Sequence, residues 1–193
     1  MKVVIDTNSL LSLVRYYLPF DKKKILFGFF KQKIEKNEII IIDKVLEECA
    51  YIAQGVVIKT LAYLQDKTFL KSSSVPYKTD TLLAPSPAKF IRQVENQFVN
   101  GTIRKLRNLT DAEFENQMNV FLNGADIKQI ILCLNLNKGN QDVVLVTEET
   151  DAGNDNKLFK KIPAICKELN INTLTLPELL LKYYDIGMEF RWQ

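Results

Sequence analysis

Short apolar runs alternate with longer amphipathic stretches along the chain. The runs cover residues 2–5, 38–42, 143–146 and 171–176, and the second of them is continuous and β-branched. Such runs are typical of strands buried on both faces of a sheet. Strands that are separated by helices favour a parallel sheet with helices on either side. We therefore predict an α/β protein with a three-layer α/β/α fold, whose central parallel sheet is flanked by helices.

Helical periodicity fills most of the sequence between these runs. At 193 residues, the chain has the length of one domain. Asp43 follows the second run and is a good N-cap for the next helix, and Pro177 can open the last one. Residues 71–87 are polar and contain prolines, which predicts a long loop. Helices are expected from Leu10 to Tyr17 and over residues 22–34, 56–66, 88–99, 111–122, 124–135 and 158–169.

The composition removes several kinds of chemistry. The chain has no histidine, which excludes the commonest general base and metal ligand. Cys49, Cys133 and Cys166 are scattered through apolar helical patterns, so neither a zinc site nor a disulfide is expected. The longest apolar runs are too short to cross a membrane, and we expect a cytoplasmic protein with no membrane partner. A net charge of +3 permits a polyanionic partner without requiring one.

Acidic residues stand at the points where a parallel sheet places its ligands. Asp6 directly follows the first strand, and ligands of open parallel sheets bind beyond the carboxyl ends of the strands. Glu48 lies one helical turn from Val45 and Ile52, beside a buried row, whereas Glu47 lies on the other side of that helix. Capping and solvated surface charge remain alternatives for each acid taken singly. Asp6 fits these two alternatives least, because a charge directly after a core strand lies close to the core and must be paired.

Two further acidic positions complete the pattern. Asp126 lies in the first turn of a predicted helix, where the helix dipole favours a carboxylate. The third strand ends in Thr147, Glu148 and Glu149, with Asp151 close behind. Carboxylates about 4 Å apart repel by roughly 4 kcal/mol at an effective dielectric near 20, so a cluster of them requires protons or a cation. Carboxylate oxygens without His or Cys are what Mg²⁺ or Mn²⁺ prefers.

The chain resembles the PIN domain, a family of metal-dependent ribonucleases. The resemblance covers residues 1–55 and 120–185, and its ending is similar to a PIN subgroup described only as uncharacterised. It is carried by the motifs V-V-I-D-T-N-S-L (residues 3–10), V-L-E-E-C (45–49), G-A-D-I-K-Q-I-I-L (124–132), L-V-T-E-E (145–149) and K-K-I-P-A-I-C-K-E-L-N-I (160–171).

The resemblance implies a site and an activity. It carries the family's catalytic and metal-binding acids to Asp6, Glu48, Asp126 and Glu149, and its small polar contacts to Asn8 or Ser9 and to Thr147. It implies an endoribonuclease that hydrolyses RNA with Mg²⁺ or Mn²⁺. Where the family usually has Asp, this chain has Glu149, followed by Asp151 and Asp155, so any of the three could be the fourth acid. The interval from Glu48 to Asp126 is longer than in a minimal PIN domain, which implies a helical insertion over residues 66–120.

The residues leave partners and alternatives open. Basic residues that could contact single-stranded RNA are Lys22, Lys23 and Lys24, then Arg104, Lys105 and Arg107, and finally Lys160 with Lys161. Many small bacterial PIN domains are toxins silenced by an antitoxin, so an antitoxin protein or a second copy of the chain is a further expected partner. The competing hypothesis is a non-catalytic module of the same fold that binds RNA or a protein. A haloacid dehalogenase-type phosphatase is disfavoured because it needs an acid where Asn8 stands.

Overall fold

A four-stranded parallel sheet forms the centre of the protein. The computed structural model describes residues 1–150 and 156–187. Within this part of the chain the strands are β1 (Lys2–Ile5), β2 (Ile39–Ile40), β3 (Val143–Val146) and β4 (Asn172–Leu174). They lie in the order β2-β1-β3-β4, and every neighbouring pair is parallel. The predicted three-layer α/β/α fold is confirmed.

The helices that flank the sheet are mostly short. They are α1 (Thr7–Ser12), α2 (Ile25–Glu35), α3 (Asp43–Tyr51), α4 (Val56–Thr60), α5 (Lys67–Ser72), α6 (Pro87–Gln93), α7 (Gly101–Leu106), α8 (Asp111–Asn123), α9 (Ala125–Lys138), α10 (Ile162–Glu168) and α11 (Leu176–Glu178). Three of them continue as π-helical turns, at Leu13–Tyr17, Val94–Phe98 and Leu179–Tyr183. Helical periodicity thus predicted most of the helices but not these local irregularities.

The two central strands are buried because their residues are apolar on both faces. Val3, Val4 and Ile5 of β1 have no exposed surface, and all of β3 is buried. A parallel strand covered by helices on both sides needs such a continuous apolar sequence. The three cysteines are buried as well, as the apolar patterns around them predicted. Burial raises the pKa of the Cys49 thiol to about 12, so it packs as a small neutral group.

The second strand is shorter than the predicted run of residues 38–42. Only Ile39 and Ile40 pair with β1, and the chain then turns to a different neighbour. Tyr77 donates its N–H to the carbonyl of Ile41 at 2.9 Å and accepts the N–H of Asp43 at 3.0 Å. The backbone groups after β2 are therefore satisfied by the loop segment around Tyr77.

The prediction that Asp43 is an N-cap is wrong by one position. Ile42 occupies the N-cap position of α3 without a side-chain bond, and Asp43 is the first helical residue. Its buried carboxylate accepts the Lys44 N–H at 2.9 Å, the Thr79 N–H at 2.9 Å and the Thr79 hydroxyl at 2.6 Å. Although burial acts to raise the pKa of Asp43, these bonds outweigh it and the pKa is lowered. Asp43 therefore anchors a loop to the start of α3.

The expected insertion, residues 66–120, packs against the same core as the strands. Phe69, Phe90, Phe98, Phe114 and Met118 belong to one buried cluster with β1 and β3. As predicted, the chain is irregular between α5 and α6, whereas α7 was not anticipated from the sequence. None of the helices within residues 1–150 and 156–187 is long and apolar enough to cross a membrane.

Candidate functional site

Asp6 joins the end of the first strand to the start of the first helix. Its N–H donates to the carbonyl of Val146 at 2.9 Å, and its carboxylate accepts the Thr7 N–H at 2.6 Å as the N-cap of α1. The second carboxylate oxygen accepts the Thr147 hydroxyl at 3.1 Å. The side chain is only 4% exposed. The charge after β1 is thus built into the carboxyl edge of the sheet, between two of its strands.

The surroundings of Asp6 disfavour its charge. Burial raises the pKa of Asp6 to about 6, and the charge of Glu149 contributes to this rise. Hydrogen bonds from Thr147 and Thr7 lower the pKa but do not offset burial. Asp43 is surrounded by less protein than Asp6, and its oxygens accept bonds from Lys44 and Thr79, so its pKa is lowered. Asp6 is therefore a buried carboxylate whose partners in the described residues do not fully compensate its charge.

Glu48 approaches the same edge from helix α3. The Thr7 hydroxyl donates to its Oε2 at 2.5 Å, which ties α3 to the start of α1. Glu48 is half-buried, whereas Glu47 is exposed and pairs with Lys44 at 3.3 Å. The structure therefore places Glu48 beside the sheet and Glu47 on the surface. Thr7, not Asn8 or Ser9, supplies the hydroxyl that contacts this acid.

Asp126 lies in the first turn of α9, after Gly124 at its N-cap position. It is open to solvent, yet it lines a recess in which the surrounding protein displaces much of its hydration. This desolvation raises the pKa of Asp126 to about 7, and the charges of Asp6, Glu149 and Glu48 add to the effect. The four predicted acids are therefore within electrostatic reach of one another. They come from four separate segments of the chain.

Glu149 is held by contacts on both sides. Its N–H donates to the Thr147 hydroxyl at 3.1 Å, and its Oε2 accepts the N–H of Ile162, the first residue of α10, at 3.2 Å. Lys157 lies 3.9 Å from its Oε1. Because Thr147 also donates to Asp6, one hydroxyl connects the end of β1 with the segment after β3.

The remaining predicted positions occupy different surroundings. Asn8 is exposed, and Ser9 is fully buried with its hydroxyl 3.4 Å from Glu148 Oε1. Glu148 also accepts the Leu176 N–H at 2.8 Å at the start of α11, so Ser9 and Glu148 hold this part of the fold together. Asp151 and Asp155, the other options for the fourth acid, lie outside the described residues.

Sequence reasoning missed Gln129, which lies one turn after Asp126 on α9. Its side chain is completely buried, and neither its Nε2 nor its Oε1 has a hydrogen-bond partner within the described residues. It nevertheless lies close enough to Asp6 for a weak hydrogen bond, which lowers the pKa of that carboxyl. A buried amide with so few partners is costly, so its position beside the acids requires an explanation. Its spacing of three residues from Asp126 could have suggested a position facing the same site.

The donor chemistry suits a hard divalent cation. No group of three His, Cys, Asp or Glu side chains among the described residues is arranged to hold a metal ion. Mg²⁺, however, is usually held by only one or two carboxylates and keeps several waters. Asp6 and Asp126 are carboxylates whose surroundings raise their pKa values, and Gln129 adds a buried amide oxygen, so this edge offers hard oxygen donors that a cation or a water could engage. These residues therefore fit a hydrated ion better than a closed cage.

The candidate basic residues fall into separate places. Arg107, Lys160 and Lys161 line the recess that contains Asp126, together with Lys157. Lys22 and Lys23 line a different cavity beside α2, and Lys105 lines a third. Arg104 stacks its guanidinium over Phe114 at 3.8 Å and pairs with Asp111 at 3.1 Å. The structure thus brings Lys160 with Lys161, and Arg107 from another expected group, close to the predicted acids. We call the carboxyl edge of the sheet around Asp6, Glu48, Asp126 and Glu149 the acidic edge.

Comparison with known proteins assigns the chain to one family. Residues 83–184 match the family described as a domain of unknown function, DUF4411, and the chain belongs to it. The matched segment contains Asp126, Gln129, Thr147 and Glu149, whereas Asp6 and Glu48 precede it. No curated protein and no solved structure matches the chain.

Proposed function

We propose that the protein is a metal-dependent endoribonuclease of the PIN type. The observation that carries this proposal is the convergence of Asp6, Glu48, Asp126 and Glu149 at the carboxyl edge of a parallel sheet, where α/β enzymes place their chemistry. Carboxyl pKa values that burial raises, as at Asp6 and Asp126, are typical of functional sites. The sequence motifs that resemble PIN domains fall on the same residues.

Each side chain has a role in this proposal. Asp6 and Asp126 would hold Mg²⁺ or Mn²⁺, with Glu48 and Glu149 completing or extending the site. The bound cation would activate water for attack on the phosphodiester and offset the charge that develops on the leaving oxygen. Thr147 orients Asp6 through its hydroxyl, and Thr7 orients Glu48. Because no imidazole exists in the chain, proton transfer in this proposal would fall to the carboxylates and water of the site.

Single-stranded RNA is the proposed substrate, and its phosphates would meet the cations beside Asp126. An antitoxin protein that covers the acidic edge would silence this activity, and a second copy of the chain is the other expected partner. Co-purification of a small protein encoded next to this chain would support the toxin role. Sedimentation of the purified protein alone would decide between monomer and homodimer.

The decisive experiment is cleavage of labelled single-stranded RNA with Mn²⁺ or Mg²⁺, with and without EDTA. We expect cation-dependent cleavage that Asp6→Asn and Asp126→Asn each reduce by orders of magnitude. Glu47→Gln is the matched control, because Glu47 neighbours Glu48 on α3 but lies on the surface. Equal activity of wild type and Asp6→Asn would show that cleavage does not come from this site.

A second candidate function follows from the lack of a three-residue metal group among the described residues. A non-catalytic module could keep the fold and the acidic edge and bind RNA or a protein partner without cutting. Such a module would show no cleavage with either cation, and Asp126→Asn would leave RNA binding unchanged or improve it, because a repelling charge is removed.

A further inference from the structure

The recess next to Asp126 has the lining of a binding site for one nucleotide. Its volume is about 410 Å³, within the roughly 300–1,000 Å³ of small-ligand sites. Asp126 is one of its lining residues, and the others come from residues 107–121 and 157–161. The lining residues are Arg107, Gln117, Val120, Phe121, Asp126, Lys157, Leu158, Phe159, Lys160 and Lys161. We call this recess the basic cleft.

Aromatic rings form an apolar surface inside the basic cleft. Phe121 and Phe159 stack face to face, with ring centroids 4.1 Å apart and planes 6° from parallel. Phe114 packs near Phe159 at a centroid distance of 6.4 Å. An aromatic surface at the side of a charged recess allows an unpaired base to stack, and such stacking contributes about 1–3 kcal/mol per base.

The cations of the basic cleft can exchange their present partners for phosphate at little cost. Lys157 lies 3.9 Å from Glu149, and Lys160 lies 3.9 Å from Glu168. Both lysine side chains are at least 40% exposed, and surface ion pairs of this kind contribute about 0–1 kcal/mol. Arg107 donates to the carbonyl of Asn156, which fixes its guanidinium at the cleft. Lys157 also lowers the pKa of Asp126, so positive charge reaches the acid itself.

The wall of the basic cleft is held in place before any ligand arrives. Helix α8 carries Phe121 and begins with a capping box, in which Thr110 and Glu113 satisfy each other's backbone N–H groups. Arg104, stacked on Phe114, pairs with Asp111 at the first turn of the same helix. A preformed wall lowers the entropy cost of binding.

We propose that the basic cleft binds one unpaired nucleotide of the strand whose phosphodiester lies at the acidic edge. The base would stack on the Phe121–Phe159 pair, and Arg107, Lys157 and Lys160 would contact its phosphates. This inference rests on the proposed nuclease function and adds where one nucleotide of the single-stranded substrate is held and which residues hold it. A base paired in a duplex is already stacked and cannot enter a recess of this kind.

The test compares two double charge reversals in the Asp6→Asn protein, in which bound RNA should not be cut. Arg107→Glu with Lys160→Glu alters the basic cleft. Lys36→Glu with Lys138→Glu is the matched control, because these exposed lysines end α2 and α9, just before β2 and β3 and thus at the opposite edge of the sheet. Binding of a short labelled single-stranded RNA is measured by fluorescence anisotropy at several salt concentrations. Thermal unfolding confirms that both variants fold.

We expect the cleft variant to bind at least about tenfold more weakly, with a salt slope reduced by about 0.7 for each phosphate that the cleft no longer neutralises. The control should bind like its parent, and the same RNA in a duplex should bind more weakly than the single strand. Phe121→Leu should weaken binding without changing the salt slope, since it removes stacking but no charge. Equal reductions in affinity for the two double variants, or tighter duplex binding, would overturn the proposal.

The same charge reversals, made in the protein that keeps Asp6, separate this inference from the nuclease function. Wild-type cleavage that the cleft reversals leave unchanged would reject the basic cleft and keep the nuclease. Cleft-dependent binding without cleavage by wild type in Mn²⁺ would keep the basic cleft and reject the nuclease.

Discussion

Asp6→Asn should stabilise the metal-free protein at neutral and alkaline pH. Asn is as good an N-cap as Asp and can still accept the Thr7 N–H, so the start of α1 is preserved. The substitution removes a buried negative charge, and the bond to Thr147 persists only if that hydroxyl accepts from the new Nδ2 in place of donating. The pKa of Asp6 rises from 3.8 to about 6 on folding, which corresponds to a cost of about 3 kcal/mol for keeping the carboxylate ionised in the native state.

The sign of the pH dependence follows from that rise. Because the folded protein binds the Asp6 proton more tightly than the unfolded chain, stability falls as the pH increases from 3.8 towards about 6. Above that range the ionised carboxylate lowers the free energy of unfolding by its full amount. Below that range the carboxyl is protonated in both states and has no such effect. The variant should therefore equal wild type near pH 4 and exceed it at pH 8, by about 3 kcal/mol at most. For a chain of this length, each kcal/mol changes Tm by roughly 2–4 °C.

Urea unfolding with EDTA at pH 4, 6 and 8 measures this difference, and Asp43→Asn supplies a control of opposite sign. Asp43 is also buried after a strand, but its lowered pKa means that its charge contributes stability above pH 3.8. Its removal should cost about 1–3 kcal/mol at pH 8, since Asn cannot accept from both the Lys44 and Thr79 N–H groups. Added Mn²⁺ should raise the Tm of wild type and not that of Asp6→Asn. If Asp6→Asn is less stable than wild type at pH 8 without metal, our account of Asp6 is wrong.

Three further predictions concern other residues. Gln129→Leu should raise the pKa of Asp6 further, because it removes an amide that helps to lower that pKa, and should reduce RNA cleavage; a pH dependence of urea unfolding equal to that of wild type would show that Gln129 does not act on Asp6. Mg²⁺ affinity, measured by calorimetry, should increase with pH and level off above about 7, where Asp126 is ionised, and Asp126→Asn should flatten that profile. Gly55→Ala should cost at least about 1–2 kcal/mol in urea unfolding, because Gly55 has φ +70° and a Cβ would meet the Ala50 carbonyl at 2.8 Å; an unchanged midpoint would show that the turn relaxes.

The fold could be predicted because burial on both faces leaves a plain pattern. The central strands β1 and β3 were predicted with their observed bounds, since their apolar residues run without interruption. The end of β2 was not predicted, because Ile41 and Ile42 are as apolar as Ile39 and Ile40. The pairing of β2 with β1 ends where the backbone of Tyr77 takes its place. Which neighbour a strand meets depends on distant residues that local periodicity does not report.

The candidate site was predictable in its charges but not in its neutral groups. Asp6 and Asp126 were identified because a carboxylate at a strand end or helix start stands out from its apolar surroundings. Gln129 and Thr7 were not identified, since a polar residue inside a helical pattern is usually exposed. Only the packing of α9 and α1 against the sheet reveals that both are buried beside the acids. The basic cleft depends similarly on residues 107 and 157–161 meeting across the fold.

The order of the strands has a consequence for synthesis on the ribosome. β1 is made first but lies between β2 and β3, and β3 emerges about 140 residues later. Until then a nascent chain has only half of its sheet and an unpaired, apolar edge, which is a target for chaperones. The Asp6–Thr147 contact spans the same interval, so an incomplete polypeptide cannot assemble the acidic edge. The proposed catalytic site would therefore form only after β3 has left the ribosome, so unfinished copies of the chain would lack it.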